Sequence, residues 1–137
     1  MKDMLEKIVR DASEILFLSA KRIELVGSTY IYGQGNDIDI LVLLNTAAPT
    51  YTSIETLVLP GWVYGGSTPK SGDGWCSWKQ GDINLLVTDD ETYFNAWVTA
   101  AEVCKYIALR GVKLEKPDRI AVHAIIMDDK ECGDFIK

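Results

Sequence analysis

The chain has 137 residues, 14 Lys and Arg against 20 Asp and Glu, a formal net charge of −6 and a pI near 4.7. With 47% hydrophobic and 25% charged residues it has the make-up of a globular protein with one domain over 1–137, which excludes a disordered or collagen-like chain. The acidity excludes a protein whose main task is to coat nucleic acid, since that affinity comes from neutralising phosphates with Lys and Arg. It leaves a nucleotide substrate open, because a metal ion can bring the positive charge that the protein lacks.

Cys76, Cys104 and Cys132 are odd in number, scattered, and form no C-x-x-C pair. Reduced thiols in a cytoplasm are expected rather than a disulfide framework or a zinc site. The opening residues 1–7 are charged where a secretory signal needs its apolar run, and no stretch approaches the roughly 18 apolar residues of a membrane span.

In chain order, Met4, Leu5, Ile8, Ala12, Ile15 and Leu16 recur at helical spacing and predict one amphipathic first helix. Residues 21–26 alternate polar and apolar and read as a strand that stops at Gly27-Ser28. A short helical turn through Tyr30 and Ile31 follows, ended by Gly33 and Gly35. Residues 37–44 (Asp-Ile-Asp-Ile-Leu-Val-Leu-Leu) form a strand that opens polar and closes apolar, buried except at its start. A short helix is expected over 52–59, a brief strand at 62–64, and a Gly- and Ser-rich loop up to Gly74. Residues 75–79 and 82–87 are strand material, with Gln80-Gly81 either a turn or a bulge. From 90 to 109 a helix carries Tyr93, Trp97, Ala101, Cys104 and Ala108 on one stripe, with Asp89 or Asp90 as N-cap and Gly111 as stop. Pro117 begins a last helix with Ile120, Ala124 and Met127 on its apolar side. Together these predict an α/β (α+β) fold, a mixed sheet with helices against it.

The chemistry concentrates in residues 27–40. Strand geometry puts Asp37 and Asp39 on one face with their Cα atoms about 6.5–7 Å apart. Two such carboxylates repel unless something positive lies between them, and Mg²⁺ prefers hard carboxylate oxygens shared with substrate phosphates. Gly27-Ser28, at a strand-to-helix turn, offers backbone N–H groups and a hydroxyl to a phosphate.

A Gly-Ser turn (Gly27-Ser28), a spacer containing Gly33, and Asn36 before Asp37-Ile38-Asp39 at a strand start together resemble the polymerase-β-like nucleotidyltransferase superfamily. The resemblance is specific over 23–44 and fair over 75–88. It implies a nucleotidyltransferase-type sheet, two Mg²⁺ ions on Asp37 and Asp39, and an NTP triphosphate held by Gly27 and Ser28. It further implies a third carboxylate on a later strand, for which Asp82 is the best match, helping to deprotonate the acceptor hydroxyl. The reaction implied is in-line attack on the α-phosphorus with pyrophosphate leaving. Asn84 shares the face of Asp82 and is the alternative occupant of the third position. The compact length and the 78–84 stretch look like small, stand-alone nucleotidyltransferase-like proteins of bacteriophages, which would act in the host cytoplasm.

Lys70 and Lys79 are candidates for touching phosphate, with the Gly-rich loop as a lid or as a plain surface loop. Gly66 to Ser71 fails the Walker A spacing. His123 is expected to be packed or solvated, and Trp62, Trp75, Trp78 and Trp97 to pack rather than to stack a base. The competing reading is a non-catalytic nucleotide-binding or interaction module. The acidity favours a protein or small-molecule acceptor over a long nucleic acid.

Overall fold

A computed structural model of the chain describes residues 2–51, 54, 57–67 and 75–131, the last five by their backbone alone. The first helical pattern divides in two, α1 (Lys2–Ala12) and α2 (Glu14–Ser19). Ser13 causes the break: its backbone is extended and its hydroxyl accepts the Leu16 N–H at 3.1 Å, capping a new helix. The apolar stripe runs across the break, so Leu5, Val9, Ala12 and Leu16 are all buried.

Strand β1 (Ala20–Val26) leads into the short α3 (Gly27–Tyr32), and β2 (Ile38–Leu44) returns antiparallel to β1. Next come β3 (Val63–Ser67), β4 (Trp75–Gln80) and β5 (Ile83–Thr88). Where a brief strand at 62–64 was expected, β3 instead extends through Gly65 and Gly66 to Ser67, paired with β4. The helix expected over 52–59 and the loop residues 68–74, including Lys70, lie largely outside the described residues. Gln80 pairs with Ile83, so Gly81-Asp82 is a turn and not a bulge, with Gly81 at φ +58. The chain closes with α4 (Glu91–Leu109), capped by the Asp90 carboxylate on the Tyr93 N–H, and α5 (Lys116–Glu131).

Among the described residues five strands lie in the order β1-β2-β5-β4-β3, with β2 and β5 parallel and the other neighbours antiparallel. This is the mixed sheet flanked by helices that the sequence predicts. Strand alternation divides β2 between two layers. Ile40, Val42 and Leu44 face α1 and α2, together with Leu85 and Val87. Leu41 and Leu43 face Phe94 and Ala101 of α4, and Asp39 falls on this second side by the same alternation. The α4 stripe is wider than predicted because α4 also meets α3 and α5, and Phe94, outside the predicted stripe, is fully buried. The apolar side of α5 departs from expectation too. Ile120 is 59% exposed and Ala124 is exposed, because α5 leans on α4 rather than on the sheet.

Among the described residues Phe94 is the largest fully buried side chain, and it plugs the α4 layer. Phe94→Ala is expected to cost about 3–5 kcal/mol in urea unfolding, and a loss below about 1 kcal/mol would contradict the packing described.

Candidate functional site

The site begins where β1 ends. Gly27 has φ +76, and a methyl group there would lie 2.1 Å from Asp39 Oδ2. Glycine is therefore required twice, for the left-handed backbone and for the carboxylate that fills the space beside it. Gly33, at φ +77, ends α3, and residues 33–37 fold back over it. The Thr29 hydroxyl donates to the Asp37 carbonyl, and Gly35 comes so close to α3 that a Cβ would sit 2.5 Å from Ser28 Oγ. Ser28 and Thr29 thus anchor the loop that delivers Asp37.

Asp39 pairs with Asn84 in the parallel β2–β5 ladder, and Asn84 Nδ2 donates to Asp39 Oδ1 at 2.7 Å. Partial burial, above all, pushes the Asp39 carboxyl above its ordinary pKa. The Asn84 hydrogen bond opposes this, the like charge of Asp37 adds to it, and the Lys79 ammonium opposes it. Lys79 stands opposite Asn84 on β4, exposed and close enough for its charge to reach Asp39.

Asp82 does not join this group. The Gly81-Asp82 turn uses it up before the ladder begins, so it is exposed; its carbonyl accepts the Ile38 N–H at 2.8 Å. Asn84 therefore occupies the position beside Asp39 in which the sequence reading placed a third carboxylate. Among the described residues no three carboxylate, imidazole or thiol groups converge to share a metal ion. Asp37 and Asp39 remain as a pair of hard oxygen donors on one wall, and the desolvated, repelled state of Asp39 is the kind that a divalent cation relieves. These residues fit a cation held by two carboxylates and completed by a ligand's oxygens.

The pair opens into a cleft of about 600 Å³, within the range of small-molecule sites. Gly27, Ser28, Asp37, Asp39 and Asn84 line it together with Trp97 and Cys104 of α4. Lys116, Arg119 and His123 of α5 line the same cleft. His123 packs edge-on against Trp97 with centroids 4.8 Å apart, and burial lowers its pKa, so the imidazole is neutral near pH 7. Trp97 also meets Trp75 and Tyr93 edge-on. Trp78 is buried on the far side of the sheet against Tyr64. The sequence reading passes over Lys116 and Arg119. Their spacing with His123, at i, i+3 and i+7 of one helix, was the available signal.

No protein-family model and no curated protein matches the chain. Among solved structures, the conserved protein GrpB from Enterococcus faecalis is similar, with a TM-score of 0.51 and 16% identity over 98% of this chain and 94% of that one. At this identity the likeness speaks to the fold alone, an α+β arrangement with a mixed sheet flanked by helices. No helix among the described residues is long and apolar enough to cross a membrane.

Two outcomes follow from the Gly27–Asp39 contact. Gly27→Ala is expected to destabilise the chain by at least about 1–2 kcal/mol from the left-handed backbone alone and to displace the Asp39 carboxylate, measurable by denaturant unfolding. Asp39→Asn tests the electrostatics. The folded carboxyl titrates above the unfolded one, so the native state binds more protons between the two values and stability falls as pH rises through that window. In EDTA, Asp39→Asn should flatten that fall and melt above wild type near neutral pH; thermal melts from about pH 4 to 8 check it, and a lower melting temperature at pH 7 would count against it.

Proposed function

We propose that the chain is a nucleotidyltransferase that binds a nucleoside triphosphate with a divalent ion and transfers the nucleoside monophosphate to a protein or small-molecule acceptor. The observation that carries this reading is the half-buried Asp39 carboxylate. It is repelled by Asp37 and lines a cleft beside the Gly27-Ser28 turn, in a fold similar to that of GrpB. Burying a charge in this way is costly unless a ligand compensates it.

In this reading Asp37 and Asp39 hold Mg²⁺. The ion supplies charge neutralisation for the phosphoryl oxygens when it is bound. Asn84 fixes the rotamer of Asp39 by its hydrogen bond, leaving Oδ2 beside Gly27. Ser28 and the backbone of Gly27 meet the triphosphate, and Lys79 offsets negative charge from the β4 side. The cleft walls orient the α-phosphorus for in-line attack, so catalysis is mainly positioning and charge compensation.

One observation favours the second reading, a nucleotide-binding module without turnover. Asn84 is beside Asp39, and an amide accepts no proton from an attacking hydroxyl at neutral pH. The two readings separate in one experiment. With α-³²P-labelled NTPs, Mg²⁺ or Mn²⁺ and host extract, the transferase yields label transfer and pyrophosphate, both lost in Asp37→Ala. The module binds NTP in calorimetry with no transfer. In either case Asn84→Ala should weaken the metal by about 10–100-fold through the freed Asp39 side chain. Absence of both transfer and NTP binding would end both readings.

A further inference from the structure

We propose that the α5 wall of the cleft, Lys116 with Arg119, is the binding site for the nucleotide's polyphosphate chain and takes polyphosphate even without a metal ion. This rests on the nucleotide reading of the same cleft, and it concerns the residues that α5 adds to it.

Both side chains line the same cleft as Asp37 and Asp39. They lie three residues apart on one helix, so their Cβ atoms are about 5–6 Å apart on one face, and together they span more than one phosphoryl group. Neither has a carboxylate partner among the described residues, where the ion pairs engage Lys7, Lys21, Arg22 and Lys113 instead. Arg119 is aimed by neutral groups. Its Nη1 donates to the Leu114 carbonyl at 3.4 Å and to the Tyr32 hydroxyl at 3.5 Å, and its guanidinium lies 5.5 Å from the Tyr32 ring. The Tyr32 hydroxyl in turn donates to the Leu114 carbonyl at 2.6 Å, tying the end of α3 to the approach to α5. These contacts fix the guanidinium without neutralising it, so less freedom is lost when it meets an anion. Its charge also reaches the Cys104 thiol in the cleft and opposes the burial that raises that thiol's pKa.

The cleft lining therefore brings two carboxylates of the β2 start together with two cations of α5 that have no ion-pair partner among the described residues. A neutral ligand compensates neither pair, and a cation alone compensates one. A polyphosphate carrying a divalent ion compensates both, with the ion on Asp37 and Asp39 and the phosphate oxygens on Lys116 and Arg119. Guanidinium forks suit phosphate oxygens by geometry as well as charge.

Calorimetry of the full chain with sodium tripolyphosphate, in EDTA and low salt, tests this without any turnover. Wild type should bind, NaCl should weaken the binding, and Lys116→Gln/Arg119→Gln should weaken it by roughly tenfold or more. Asp37→Asn/Asp39→Asn should bind at least as tightly in EDTA, because repulsion is gone, but should not gain from Mg²⁺ as wild type does. If the double Gln variant melts well below wild type, the exposed Lys116→Gln alone carries the test with a loss of roughly threefold or more. Binding within twofold of wild type in these variants, or no metal-free binding by wild type, would overturn the proposal. Equal affinity for orthophosphate would also overturn it, marking a single-phosphate site that belongs to an acceptor. Failure of label transfer with tripolyphosphate binding intact would sink the transferase reading and leave this one standing; the reverse result would do the opposite.

Discussion

The parallel pairing of β2 with β5 is the constraint on which the site depends, because it decides which side chain stands beside Asp39. Residues 40–44 are all buried, with Ile40, Val42 and Leu44 in one layer and Leu41 and Leu43 in the other. A slip of one residue would exchange the two sets and carry Asp39 into the layer beneath α1 and α2. The core thus enforces the position of a carboxylate that its own environment disfavours. The energy that holds Asp39 partly desolvated beside Asp37 is hydrophobic and comes from the residues that follow it in the same strand.

The same coupling explains the glycine. Because Asp39 cannot retreat, the backbone of the β1–α3 turn has to accommodate it, and only a residue with no Cβ leaves room for Oδ2. The Thr29 bond to the Asp37 carbonyl then closes the loop onto the turn. Turn, loop and strand start form one unit, and each part is in place because the register of β2 is fixed.

How much of this was legible in the sequence follows from the kind of signal each part leaves. The apolar run after Asp39, the Gly27-Ser28 turn, the Asp90 cap and the mixed sheet all rest on local pattern, and local pattern is what one sequence displays. Ser13 is equally local, yet the unbroken stripe from Leu5 to Leu16 conceals the break because both helices bury the same side. The third position was legible only as a choice. Asp82 and Asn84 are two residues apart and share a face in an ideal strand, so the choice depends on where the β4–β5 turn ends, a property of pairing and not of composition. For α5 the periodicity is real, but it does not say whether an apolar stripe meets a core or a cleft. Ile120 and Ala124 line the cleft beside Lys116 and Arg119, a mixed face that resembles neither a core stripe nor a solvated one.

Asn84 also bears on what the cleft can do. A carboxylate there would place a third negative charge against Asp39, whose protonation already reflects burial and the nearness of Asp37. The amide instead donates to Oδ1, which lowers the cost of the ligand-free state and keeps Asp39 ordered with Oδ2 beside Gly27. The exchange gives up a proton acceptor and gains a preorganised ligand. On the transferase reading, such a site would have to find its base elsewhere in the cleft or in the acceptor itself. The net charge of −6 acquires a different meaning in this light. It describes the chain as a whole, whereas the cleft lining gathers two acids, Asp37 and Asp39, with two strong bases, Lys116 and Arg119. A long nucleic acid would bring its negative charge to the whole acidic surface, whereas on the proposed reading a nucleotide with its ion would bring it to the cleft that Lys116 and Arg119 line.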